Sequence, residues 1–390
     1  MIKITDLNIN NKRVLIRSDL NVPIKNKTIK SYARIEASLP TIKYALSKNS
    51  QVILLSHLGR PIEGKYDENL SLKIISLYLK KILKNIEIIF IKDIPEKIEF
   101  KEKTLIILEN VRFNIGEKNN STELAKKYAN LCDVFVMDAF GCIHRSHAST
   151  HSLAKQANKT CAGLLLIQEL KYLKKALINP IRPMVSIVGG AKISTKFGIL
   201  DKLLQISDYV IVGGGIANTF LAINNNIGKS LHESKFINKA KILKQKYNNL
   251  ILPHDSKVVS EFHENADFIT KKVFNISNNE EIIDFGNESA IKMAKIIKKA
   301  KTILWNGPVG VFEFKKFREG TEIIAKAIAK NKGLSIAGGG DTLAAIEMFK
   351  IKNKLSYIST GGGAFLKLIE GNTLPIIEEL EKRSTFKKKE

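Results

Sequence analysis

An α/β fold on two doubly wound parallel sheets is the architecture this sequence predicts, and three observations carry that expectation. The chain has 390 residues, more than the roughly 250–300 at which one hydrophobic core stops growing. Short β-branched runs alternate with longer helical patterns from end to end. Several of those runs are apolar on both faces, as strands buried between two helix layers are. The expected arrangement is two Rossmann-like domains joined by a helix, with a cleft between them, over residues 1–170 and 171–374.

In the first half the strands are expected at Val14–Ile16, Val52–Leu55, Ile86–Ile91, Leu105–Leu108 and Val134–Met137. In the second they are expected at Val185–Val188, Val210–Val212, Leu250–Leu252, Ile303–Trp305, Leu334–Ala337 and Tyr357–Ser359. Between the halves, Leu166, Leu170, Leu173 and Leu177 repeat at helical spacing, so Ala162–Leu177 reads as the joining helix, ended by Pro180 and Pro183. The lysine-rich stretch Leu380–Glu390 reads as a frayed, solvated tail, with 375–390 available to pack back on the first domain.

Lys and Arg number 63 against 38 Asp and Glu, a formal net charge of +25. Such an excess would suit nucleic acid or an anionic membrane. Here the basic residues are mostly Lys spread along the chain among many Ile and Asn, without the aromatic-rich basic motif that stacks bases. No nucleic-acid partner is expected. Cys132, Cys142 and Cys161 form no C-x-x-C pair, which argues against a disulfide framework or zinc site. No run of about 18 apolar residues occurs, and the first residues lack an apolar signal region, so the expected location is a reducing cytoplasm without membrane contact.

Ligands of open parallel sheets sit outside the carboxyl ends of the strands. The first-half strand ends run Arg17-Ser18-Asp19-Leu20-Asn21, Ser56-His57-Leu58-Gly59-Arg60-Pro61, Glu109-Asn110-Val111-Arg112-Phe113 and Asp138 to His147, the last carrying Arg145; Arg34 opens a further helical segment. Guanidinium groups grip phosphate and carboxylate bidentately. The set describes a socket for a small, multiply anionic ligand, with Asp19 and Asn21 as acceptors for a ligand hydroxyl. Arg17 and Glu109 are either members of that socket or its structural partners.

The second-half strand ends are glycine clusters: Gly189-Gly190-Ala191-Lys192, Gly213-Gly214-Gly215, Asn306-Gly307-Pro308-Val309-Gly310, Gly338-Gly339-Gly340-Asp341-Thr342 and Gly361-Gly362-Gly363. Glycine lets backbone N–H groups approach phosphate, and a following helix adds its positive end. Nucleotide binding is the expectation, although one such cluster alone would mean no more than a turn. The P-loop, the complete G-x-G-x-x-G and the protein-kinase catalytic loop are all missing, so phosphoryl transfer would use another scaffold.

Read together, RSDLNVP (17–23), SHLGRP (56–61), ENVRF (109–113), DAFGCIHRSHAST (138–150), GGAKISTK (189–196), WNGPVGVFE (305–313), AGGGDTLAA (337–345) and STGGGA (359–364) resemble the phosphoglycerate kinase family along nearly the whole chain. The resemblance implies that 3-phosphoglycerate or 1,3-bisphosphoglycerate binds the first domain, at Asp19, Asn21, Arg34, His57, Leu58, Gly59, Arg60, Arg112 and Arg145. It implies ADP or ATP on the second, at Lys192, Lys196, Asn306, Glu313, Gly339, Gly340, Asp341 and Thr342, with Asp341 directed at Mg2+. Catalysis would fall to Arg34, Lys196 and the N–H groups of Gly361, Gly362 and Gly363, with hinge closure at the joining helix and the Pro308 region, in a monomer. Ser18, Cys142 and Phe365 depart from the family's usual residues, and Phe365 bears watching because it begins the helix expected to face the transferring group. A nicotinamide-dependent dehydrogenase and a basic nucleic-acid-binding protein are the alternatives weighed and set aside.

Overall fold

The computed structural model describes residues 1–372 and 374–386. It divides into two compact units, Met1–Lys171 together with the chain from Asn372 on, and Tyr172–Gly371.

The first unit holds a six-stranded sheet and a short hairpin, β2 (Ile24–Lys25) against β3 (Thr28–Ile29). The sheet's strands are β1 (Arg13–Arg17), β4 (Gln51–Leu55), β5 (Glu87–Ile91), β6 (Thr104–Leu108), β7 (Val134–Met137) and β8 (Thr160–Ala162). They lie in the order β5-β6-β4-β1-β7-β8, every pair parallel. β4, β6 and β7 are buried along their whole length, the signature of strands covered on both faces. The chain leaves β1 toward β4 and later returns to β7 on the other side. That reversal opens a crevice at the carboxyl ends of β1 and β7.

The second unit repeats the scheme with β9 (Met184–Val188), β10 (Tyr209–Val212), β11 (Leu250–Ile251), β15 (Thr302–Asn306), β16 (Leu334–Ala337) and β17 (Tyr357–Ile358). Their order is β11-β10-β9-β15-β16-β17, again all parallel, with the reversal between β9 and β15. An antiparallel sheet of β12 (Asp255–Val259), β13 (Ile269–Lys272) and β14 (Glu281–Phe285) is added, and periodicity did not reveal it. Lys257 sits in the middle of β12 yet is only 1% exposed; its Nζ donates to Glu319 at 2.6 Å and lies over the Phe268 ring. A buried, paired lysine breaks the apolar pattern by which such a strand is recognised.

Two expectations are corrected. The joining helix is Leu164–Leu177, because Thr160–Ala162 is strand β8 and Gly163 lies against Asp138, where a Cβ would come within 2.1 Å of the carboxylate. Asp138 Oδ1 accepts the Leu166 N–H at 3.1 Å, so it caps that helix. The stretch from Leu380 is no solvated tail as far as it is described: Pro375–Phe386 is helical. Ile376 and Leu380, four residues apart, are buried, and Arg383 Nη1 donates to Ala157 O at 2.6 Å. Lys387–Lys389 lie outside the described residues. Among the described residues no helix is long and apolar enough to cross a membrane.

Candidate active site

The carboxyl end of β1 delivers Arg17, Asp19 and Asn21. Arg17 is fully buried; its Nε donates to Ser149 Oγ at 2.9 Å, and Ser149 Oγ donates to Glu117 Oε1 at 2.6 Å. Arg17 is therefore a structural partner, neutralised through a hydroxyl by a carboxylate with no exposure of its own. Glu109 is structural too, its oxygens accepting from Ser71 Oγ, Leu72 N and Asn110 N. Asp19 accepts from Arg34 Nη1 at 2.9 and 3.0 Å on its two oxygens. Asn21 Oδ1 accepts the Gly59 N–H at 2.8 Å. Leu58, the residue before Gly59, is buried.

Four cations and an imidazole surround a cavity of about 280 Å3: Arg60, Arg112, Lys118, Arg145 and His147. Arg112 Nη1 donates to Gly59 O, while its Nε is buried without a hydrogen-bond partner. Burial, then neighbouring Arg145, lowers the Arg112 pKa. Burial, then Arg17, Arg112 and Arg145, lowers His147 to about 4. His57 is held well below the usual histidine value by burial and then by Arg17, Arg112, Arg145 and Arg34. Positive groups are crowded here without enough negative charge to balance them, a surrounding that favours an anion.

Asp19, His57 and Cys142 do bring three potential metal-ligand atoms within 4.8 Å of one another. The Asp19 carboxylate is already paired with Arg34, and the arginines that lower His57 would repel a metal ion equally. All three cysteines are buried and free of disulfides.

In the second unit the reversal between β9 and β15 is spanned by one lysine. Lys196 Nζ donates to Gly189 O at 2.6 Å, just past β9, and to Asn306 O at 3.2 Å, the last residue of β15. Burial pulls its pKa down to about 8, against the opposing charge of Asp341. Asn306 Nδ2 donates to Gly338 O at 2.7 Å, leaving Asn306 Oδ1 buried without a partner. Thr342 Oγ1 accepts the Gly307 N–H at 2.7 Å and donates to Gly338 O at 2.9 Å. These bonds lock the loops after β15 and β16 together.

Gly339, at φ +107°, turns the chain into the helix Gly340–Met348, whose first turn carries the exposed Asp341. Asp341 is the carboxylate this loop could offer magnesium, which takes one or two carboxylates and completes its shell with substrate phosphates and water. Gly362, at φ +45°, precedes the helix Gly363–Ile369, and a Cβ at Gly340 or Gly362 would meet nothing within 4 Å. Gly213, Gly214 and Gly215 are different. They press against Val309, Gly190 and Ala191, so that cluster serves loop packing and not an open phosphate cradle. Phe365 is fully buried, its ring against Gly338, so it packs against the loop after β16. Lys192 and Glu313 are exposed on the loops after β9 and β15.

Sequence reasoning missed Lys118 and Glu117, and counted His147 in the strand-end socket without assigning it a ligand contact. Glu117 and Lys118 follow no strand directly; hydrogen bonds of their loop to Pro61, Glu63 and Ser149 bring them to the site.

The phosphoglycerate kinase family model matches residues 4–372. A phosphoglycerate kinase of Buchnera aphidicola subsp. Baizongia pistaciae is 61% identical over 382 residues, 98% of this chain and 97% of its own. One from Baumannia cicadellinicola is 58% identical over 384 residues, 98% of each. The solved phosphoglycerate kinase of Coxiella burnetii superposes with a TM-score of 0.92 at 46% identity, covering 98% of this chain and 99% of that one. That of Pyrococcus horikoshii gives 0.83 at 29% identity, covering 98% of each. With the arginine-lined cavity in the first unit and the lysine-spanned glycine loops in the second, this chain belongs to the phosphoglycerate kinase family.

Proposed function

We propose that this chain reversibly transfers a phosphoryl group from 1,3-bisphosphoglycerate to ADP, with the roles divided between its units. The observation that carries the division is the 280 Å3 cavity lined by Arg60, Arg112, Lys118, Arg145 and His147. It suits a small molecule bearing both a phosphate and a carboxylate. We assign Asp19, Asn21 and neutral His57 to hydrogen bonds with its hydroxyl and carboxylate. Lys196, Asn306, Gly339, Gly340 and Thr342, with Lys192 and Glu313, are the set we assign to the nucleotide.

In the direction of ATP formation, a β-phosphate oxygen of ADP attacks the acyl phosphorus. The bond from phosphorus to the carboxyl oxygen breaks, and 3-phosphoglycerate leaves as a carboxylate. That leaving group is stable ionised at neutral pH, so neither a general acid nor a covalent protein intermediate is needed. What remains for the protein is positioning and charge stabilisation in a loose transition state. Arg34 and Lys196 are assigned to the in-flight phosphoryl oxygens, and the N–H groups of Gly362 and Gly363 add fixed donors; the Gly361 N–H, expected to join them, is instead taken by Ser359 Oγ at 3.1 Å. Asp341 would hold magnesium, which neutralises nucleotide phosphate charge when bound. Because the ligands are assigned to different units, the reaction calls for hinge closure around the joining helix.

The deciding experiment is ATP formation from ADP and enzymatically generated 1,3-bisphosphoglycerate, comparing wild type with Arg34→Ala. Turnover that collapses in the variant supports both reaction and roles. Turnover that survives it removes Arg34 from the mechanism, and a folded, magnesium-supplied wild type without turnover sinks the proposal. We further infer a cytoplasmic monomer without nucleic-acid function. A mass near 43.6 kDa by light scattering supports the first point, and steeply salt-dependent DNA retention would overturn the second.

A further inference from the structure

The first unit contains a second cavity, of about 580 Å3, that shares no lining residue with the arginine-lined one. Its volume falls in the range of small-molecule pockets, about 300–1,000 Å3. Ile24, Leu58, Leu70, Ile74 and Leu77 supply an apolar body from the hairpin, the loop after β4 and the helix Lys73–Ile82. Leu77 is 56% exposed, so apolar surface reaches the mouth. Lys27 on the hairpin turn and Lys73 on the helix also line the cavity, against one acid, Glu68. The charge balance at this cavity is positive.

One wall connects it to the substrate socket. Asn21 and Gly59 line it, and Asn21 Oδ1 accepts the Gly59 N–H at 2.8 Å. The Gly59 carbonyl, on the other side of the same residue, accepts from Arg112. Leu70 lies directly on Gly59, since a Cβ there would come within 2.4 Å of Leu70 Cδ2. A ligand that displaces Leu70 therefore bears on the backbone that holds Arg112.

We propose that this cavity binds a small amphipathic organic anion, with an apolar or aromatic body and one carboxylate or sulfonate, and that its occupancy alters affinity for the phosphoglycerate. The apolar body fills the space between Ile24, Leu70, Ile74 and Leu77, and the anion lies toward Lys27 or Lys73. The coupling is reciprocal, so phosphoglycerate changes the affinity of this site by the same factor, in the roughly 5–150-fold range usual for allosteric pairs. The coupling clause rests on the function proposed above, whereas the site itself does not.

The probe is 8-anilinonaphthalene-1-sulfonate, titrated by fluorescence into the full-length protein with the nucleotide site saturated by Mg-ADP. The expected result is one saturable site whose affinity falls at least tenfold in Leu77→Asp and severalfold in Lys73→Glu. Both positions are exposed, and circular dichroism checks that each variant is folded. Binding that both folded variants leave unchanged overturns the site. Calorimetric titration of 3-phosphoglycerate, with and without the probe, then reads the coupling. An unchanged phosphoglycerate affinity overturns the coupling. Failure of phosphoglycerate to bind probe-free protein would instead count against the proposed function.

Discussion

Arg34 Nη1 touches both carboxylate oxygens of Asp19, at 2.9 and 3.0 Å, with Asp19 almost wholly buried and Arg34 partly open to solvent. The pair fixes the guanidinium in place before any ligand arrives. A cation that stabilises a phosphoryl transition state is worth about 10³–10⁵ in rate. Arg34→Ala is expected to lose a factor in that range in kcat. Arg34→Lys should recover little of it, because an ammonium cannot keep the planar fork. Asp19→Ala should lose less than Arg34→Ala, since it frees the guanidinium without removing it. The check is coupled ATP formation at saturating ADP.

With Lys196 in the role proposed above, the reaction is expected to have a basic limb. Burial has pulled its pKa down to about 8 and Asp341 partly opposes that pull. A lysine acting by its charge loses it as pH rises through that value. The plot of kcat/KM against pH, which reports the free enzyme, should therefore fall above about pH 8. Asp341→Asn removes the opposing charge and should move the fall to lower pH. A profile flat to pH 10 would exclude Lys196 as an obligatory cation.

The unliganded protein should lose stability in mild acid through its histidines. His147 is lowered to about 4 from 6.5, and His57 lies well below 6.5, so both are neutral in the fold at neutral pH. Below pH 6.5 the unfolded chain takes up protons that these folded groups refuse. Their contribution is whole above 6.5 and drains as pH falls, for His147 until about pH 4. Asp138, raised to about 7 by burial, acts in the opposite sense. The test is thus the difference between wild type and His147→Gln in urea unfolding without phosphate buffer. The variant should show the shallower loss between pH 6.5 and 4.

Gly189→Ala should damage the nucleotide side specifically. A Cβ there would stand 1.7 Å from the Pro308 carbonyl, a backbone atom that cannot rotate aside. Relief requires the loops after β9 and β15 to separate, which also breaks the grip of Lys196 on Gly189 and Asn306. Overpacking of this kind costs about 1–3 kcal/mol. Calorimetry should find Mg-ADP affinity reduced at least tenfold while 3-phosphoglycerate affinity is unchanged.

What the sequence by itself determined is local. β-branched runs flanked by helical patterns are enough to place the eleven expected strands within a residue or two at most ends. A strand's carboxyl end also fixes which side chains emerge beside a ligand, so arginines were legible in one half and glycines in the other. Tertiary structure decided everything that depends on partners far away in the chain. Arg17 proved structural because Ser149, 132 residues on, relays it to Glu117. Gly213–Gly215 proved to be packing because three loops converge there, and Lys118 joined the socket although no strand end announces it. The antiparallel β12–β14 escaped notice because Lys257 is buried by an ion pair that only the fold supplies. Periodicity reports the solvent each residue expects, whereas a buried charge is tolerated only where a distant partner has been brought to meet it.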